Sequence, residues 1–194
     1  MKINRRKNNK RNKLSILLPI LTIVGIGFIV VLTSGYEKSW EFSWSGIERN
    51  IKDSISVYEI RNISSGIGGN GKAIPEEIES RKWIMKNANE SELMKLTEFP
   101  NGNMKAIAYE GLLRKKEFKN KNELIENAIN DTIYSVYYDS GCTGMKMGIG
   151  EYLIQNVLMI DNRIEPFSAE LITDFGFTEL EKKEILTKFH NRKQ

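Results

Sequence analysis

Residues 14–33, LSILLPILTIVGIGFIVVLT, contain no charged side chain. Twenty residues rising 1.5 Å each span about 30 Å as a helix, the thickness of a hydrocarbon core. Pro19, Gly25 and Gly27 interrupt the run, and both residue types are tolerated in membrane helices. The 13 residues before it, MKINRRKNNKRNK, carry seven Lys or Arg and no acid. Basic flanks stay on the cytoplasmic side. The sequence therefore predicts a basic tail over 1–13 and an uncleaved single-pass anchor over 14–34. The body would lie on the extracytoplasmic side, in a bacterium at the inner membrane and periplasm. A cleaved signal peptide is the rival, giving a secreted soluble binding protein. Its apolar region is usually shorter, and a small-x-small cleavage site follows it; LTSGYEKSW offers only Ser34 and Gly35.

The net charge of +4 belongs to the tail, since removing it leaves 22 basic against 25 acidic side chains. A basic tail can touch nucleic acid or anionic lipid; with the apolar run so close, no nucleic-acid partner is expected. One Cys and one His, Cys142 and His190, rule out an internal disulfide and leave little for a thiolate metal site. No metal or cofactor is expected.

After the apolar run, 35–62 reads as a linker with possible short strands, because Trp40, Phe42 and Trp44 alternate, as do Ile55 and Val57. From Pro75 the pattern turns helical. Pro75, Glu76 and Glu77 suit a first turn and predict a helix over 76–87. Asn89 with Glu92, Asn120 with Glu123, and Thr178 with Glu181 have capping-box spacing. The runs 148–160 and 178–190 also look helical. Pro100, Asn101, Gly102 and Asn103 break the chain. Met104, Ile107, Ala108, Gly111 and Leu112 then form one stripe. TIYSVYYDS, 132–140, is too β-branched and aromatic for an easy helix.

The stretch ELMKLTEFPNGNMKAIAYEGLL, 92–113, resembles one HEAT-type repeat: a Leu-rich helix, a Pro/Asn turn, and a second helix with Met104, Lys105, Ala108, Gly111 and Leu112 at the family's positions. Lys replaces the usual Arg, Gly replaces the second Ala, and the turn lacks its common Asp. Over about 63–160 the chain is similar to a group of uncharacterised bacterial envelope proteins with a HEAT-like core. The resemblance implies a mainly α fold, a short irregular α-hairpin solenoid over 63–194, and a binding surface without a known activity.

GIGGNGKA, 66–73, has the Gly-x4-Gly-Lys spacing of a phosphate loop. Ala73 lacks the hydroxyl that holds magnesium there, and Pro75 removes an amide donor, so a flexible glycine loop is expected and no nucleotide. VLMID, 157–161, fits a helical stripe through Leu153, Val157 and Ile160 as well as a strand. Cys142, in DSGCTGMKMG, is a nucleophile candidate with His190 as the available base, Asp139 or Asp161 to orient it, and Lys146 as the nearby cation. A buried or tolerated cysteine is the competing reading. Tyr134, Tyr137 and Tyr138 form a candidate protein-binding patch, set against packing in a core or at a sheet edge. The function expected is a non-enzymatic protein-interaction or scaffold module with a protein partner. A Cys142-dependent hydrolase is the alternative.

Overall fold

The computed structural model describes residues 13–33, 42–55, 61–72, 74, 76–161 and 174–192. The chain divides into two compact units, Met1–Glu37 and Lys38–Gln194. The first contains helix α1 (Lys13–Thr33), with Pro19 inside it. Thr22 Oγ1 donates to the carbonyls of Leu18 and Pro19, within the turn that Pro19 occupies. The side chains described in α1 run from Leu17 to Phe28 and all are exposed. Among the described residues no helix is long and apolar enough to cross a membrane. The expected membrane anchor over 14–33, and the extracytoplasmic placement deduced from it, are corrected accordingly.

The second unit begins with α2 (Arg49–Ile55) and β1 (Ile63–Gly68), followed by α3 (Glu76–Asn87), α4 (Glu90–Leu96), α5 (Gly102–Arg114) and α6 (Lys121–Asn130). Strands β2 (Ser135–Gly141) and β3 (Thr143–Gly148) come next, then the short α7 (Ile149–Tyr152), which passes into a π-helical turn at Leu153–Val157. Helix α8 (Glu179–Arg192) closes the described chain. The three strands form one sheet in the order β1-β2-β3, with β1 and β2 parallel and β2 and β3 antiparallel. The expected mainly α, HEAT-like solenoid is therefore corrected to an α-rich domain with a small mixed sheet. TIYSVYYDS is where a second repeat would have continued. Its β-branched and aromatic residues instead supply β2, and a parallel partner arrives from 63–68 across four intervening helices.

Helix α5 is the centre of this unit. Every residue from Gly102 to Leu113 is buried, not only the stripe of Met104, Ile107, Ala108, Gly111 and Leu112. Helices α3 and α4 pack on it, as do α6, α7 and β2. A helix enclosed all round must bring partners for its charges, because an unpaired buried charge costs several kcal/mol. Lys105 pairs with Asp131 at the end of α6 and lies 4.9 Å from the Tyr134 ring centroid. Glu110 is buried against Arg81 of α3 and Arg114 of its own helix. It accepts hydrogen bonds from Arg114 Nε (2.9 Å), Arg114 Nη2 (2.7 Å) and the Tyr152 hydroxyl (2.8 Å).

Local capping follows the sequence in two places out of three. Asn89 Oδ1 accepts from Glu92 N and Glu92 Oε2 accepts from Asn89 N, completing the box. The buried Glu92 uses its other oxygen to accept from Glu48 N, which ties the segment before α2 to α4. Thr178 and Glu181 cap α8 the same way. Asn120 makes no side-chain cap hydrogen bond, although α6 starts beside it. Phe42 packs edge-on and Trp44 tilted against Phe99, at centroid distances of 4.9 and 5.5 Å, so these aromatics pack on the α4–α5 corner rather than forming a strand. Trp40 and Val57 lie outside the described residues.

Helix α5 and the sheet meet at one point of very close approach. A Cβ on Gly102 would lie 2.1 Å from the Ser135 carbonyl oxygen. Backbone cannot yield as a flexible side chain does, so G102A is expected to cost about 3 kcal/mol, read from a urea melt. Glu110 supplies a pH signature. Burial alone would raise its pKa, but the charges of Arg81 and Arg114 outweigh burial and hold it below 4.5. A depressed carboxylate pKa contributes stability above the unfolded value, and that contribution is lost as pH falls below about 4.5 through the folded value. E110A is expected to cost about 3–5 kcal/mol at neutral pH and to flatten the acid limb of the stability profile.

Candidate functional site

The tripeptide Asn101-Gly102-Asn103 breaks the chain in the sequence and joins helix to sheet in the fold. Asn101 Oδ1 accepts from Met104 N and caps α5. Gly102 admits the backbone of β2, as described above. Asn103 is buried at the same junction and uses both ends of its amide. Its Nδ2 donates to the Arg61 carbonyl at 2.9 Å, and its Oδ1 accepts from Tyr137 N at 2.7 Å. One side chain on the central helix thus fixes the backbone entering β1 and the middle of β2.

Strand alternation decides what those two residues present. Val136 and Tyr138 of β2 are buried, and Tyr138 packs 5.8 Å from the Tyr152 ring. Tyr137 and Asp139 therefore point to the other, solvent-facing side. Tyr137 is opposite Lys146 of β3, whose Nζ lies 5.6 Å from the Tyr137 ring centroid. The next row on this face runs Ser64, Asp139, Gly144 across all three strands. Asn62 Nδ2 donates to Asp139 Oδ2 at 2.9 Å and orients the carboxylate.

Above this row lies a cleft of about 650 Å³, within the usual size range of ligand sites. Arg61, Asn62, Ser64 and Asp139 line it from the sheet, with Gly69 and Cys142 from the turns at its rim. The glycine loop builds one wall by turning back on itself. Gly71 N donates to Gly68 O, Gly68 N to Lys72 O and Ile74 N to Gly66 O. The spacing that suggested a phosphate loop thus closes a tight turn, and the next helix starts at Glu76, beyond Lys72. Register slips between Ser64 and Gly68, where Gly66 has a φ of +77°, a conformation that favours glycine.

The cysteine constellation does not assemble. Cys142 is exposed in the turn between β2 and β3, and its thiol donates to the Gly69 carbonyl at 3.3 Å. Asp139 lines the same cleft, but His190 Nε2 lies 3.7 Å from Asp161 Oδ2, in a different part of the fold. Lys146 sits over Tyr137 rather than beside the thiol. The three tyrosines of the expected patch are also divided. Tyr134 is half-buried against Lys105, Tyr138 is in the core, and Tyr137 is 45% exposed. Residues missed in the sequence are Arg61, Asn103 and Asp139 as neighbours of Tyr137. The strand pattern of 135–141 was the available signal for which tyrosine faces out.

Several titratable groups held away from their ordinary values lie beneath the sheet, not in the cleft. Burial pushes the Tyr138 and Tyr152 hydroxyls up, Tyr152 strongly, with the Arg81 charge opposing it in both. Glu110 belongs to the same cluster. No family model matches the chain, and comparisons with curated proteins and with solved structures give no match.

N103A would leave the Tyr137 amide and the Arg61 carbonyl without their partner. It is expected to cost about 2 kcal/mol in a urea melt and to shift the Tyr137 amide resonance. C142S, which removes only an exposed contact, is expected to change stability by less than about 0.5 kcal/mol.

Proposed function

We propose that residues 42–192 form a non-enzymatic binding module, and that a protein partner docks on the solvent-facing side of the sheet around Tyr137. The observation that carries this reading is the dual hydrogen bonding of Asn103. It fixes the backbone at Arg61 and Tyr137, both exposed, near Asp139 and the cleft that Arg61 lines. Arg and Tyr are the residue types that most often anchor protein interfaces, and a fixed backbone lowers the entropy lost when they bind. The cleft itself is furnished for recognition: hydroxyls, an amide, one guanidinium and a carboxylate already engaged by Asn62. A hydrolase working through Cys142 would need a base at the thiol, and the side chain weighed for that part is turned toward Asp161.

Photocrosslinking tests the reading. With p-benzoyl-phenylalanine at position 137, irradiation of cells is expected to give one recurrent adduct. The same probe at Leu180, exposed on α8, is expected to give none of it. Equal adducts at both positions, or none at 137 with the folded chain present, overturn the proposal.

A further inference from the structure

Beyond residue 13 the chain carries three more acidic than basic side chains. Among the residues lining the cleft there is one charge of each sign, Arg61 and Asp139. Arg61 lines the cleft, Lys146 lies one strand pair from Asp139, and the exposed Lys72 closes the glycine turn whose Gly69 forms the rim. Against these stands Asp139, already accepting from Asn62. Lys146 is spent on the Tyr137 ring, whereas the Arg61 guanidinium makes no hydrogen bond or ion pair among the described residues; only its carbonyl is used, by Asn103. The backbone of Arg61 is therefore pinned while its charged end is left for something else.

We propose that the cleft receives a carboxylate, held by the Arg61 guanidinium, and that it is supplied by an Asp or Glu side chain on an acidic segment of the partner protein. This rests on the docking face proposed above and names its chemistry. A guanidinium presents two parallel N–H donors that match the two oxygens of a carboxylate. Ser80, exposed on α3, adds a hydroxyl donor to the lining of the cleft. Asp139 decides between anions. A negative charge in the cleft tolerates a single incoming charge beside Arg61 better than the double charge of a phosphate, so the carboxylate is favoured. Lys72 at the margin attracts further acidic residues of the same segment and speeds encounter. Arg61 is exposed, so the pairing is weak on its own and screened by salt.

The test titrates the isotopically labelled full chain with a short acetylated, amidated peptide of alternating glycine and glutamate, with its glutamine counterpart, and with inorganic phosphate. Amide resonances of Gly68, Gly69, Asp139 and Gly144 report the cleft. The glutamate peptide is expected to shift them, saturating in about the millimolar range, and to bind at least about fivefold more tightly than the glutamine peptide. R61Q is expected to erase that preference and R61K to keep part of it, with unchanged resonances elsewhere showing that both variants fold. Equal binding of the two peptides, no shift with either, a preference that survives R61Q, or phosphate binding more tightly than the glutamate peptide each overturn the proposal. A recurrent adduct at position 137 together with equal peptide binding would retain the docking face and reject its carboxylate chemistry. Loss of the adduct with a retained glutamate preference would do the reverse.

Discussion

Enclosing α5 on all sides dictates most of what surrounds it. A helix with one apolar stripe can rest on a single neighbour, but this one carries Lys105, Glu110 and Asn103 into the interior, and each must be met there. Arg81, Arg114 and Tyr152 answer Glu110, which fixes how α3 and α7 approach. Asp131 answers Lys105 and sets the end of α6. Asn103 is answered by the backbone of Arg61, just before β1, and of Tyr137 in β2. Polar groups buried in this way tie each neighbour to one position, because any slip leaves a charge or an amide unpaired.

The same constraint reaches the surface through Asn103. A buried amide on the helix sets the backbone of Arg61 and Tyr137, and alternation along β2 then turns Tyr137 and Asp139 outward while Tyr138 turns in. The cleft is a by-product of this arrangement and of the two turns at the sheet's end. Gly68–Gly71 and Gly141–Thr143 bend sharply enough to stand above the row of Ser64, Asp139 and Gly144. A binding face built on a helix–sheet junction keeps its shape without a ligand, which suits recognition by a few fixed side chains.

Comparing chain and fold element by element shows where local rules hold. The helix at Glu76–Asn87 follows from its acidic first turn, and the Asn89–Glu92 and Thr178–Glu181 boxes form as their spacing requires. These depend on residues within one turn of each other. The helix–break–helix pattern of 92–113 forms as α4 and α5, but what packs on them is not a repeat. Repeats stack on copies of themselves, and here the next layer is a sheet whose strands are about seventy residues apart in sequence. Cys142 and His190 take separate partners for a related reason. Two residues separated by 48 positions are adjacent only if the topology brings them together, and α8 carries His190 to Asp161 instead.

From the amino-acid order alone came the helix starts, the poor helix-forming character of 132–140 and the charge-free run at 14–33, because each depends on neighbours along the chain; the loop expected over 66–73 is strand as far as Gly68. That α5 would be buried all round, which of three tyrosines would face water, and that Arg61, Asp139 and Cys142 would share one cleft were decided by tertiary packing around the pairing of β1 with β2. That pairing is set by contacts across the whole length of four helices, and no local pattern records it.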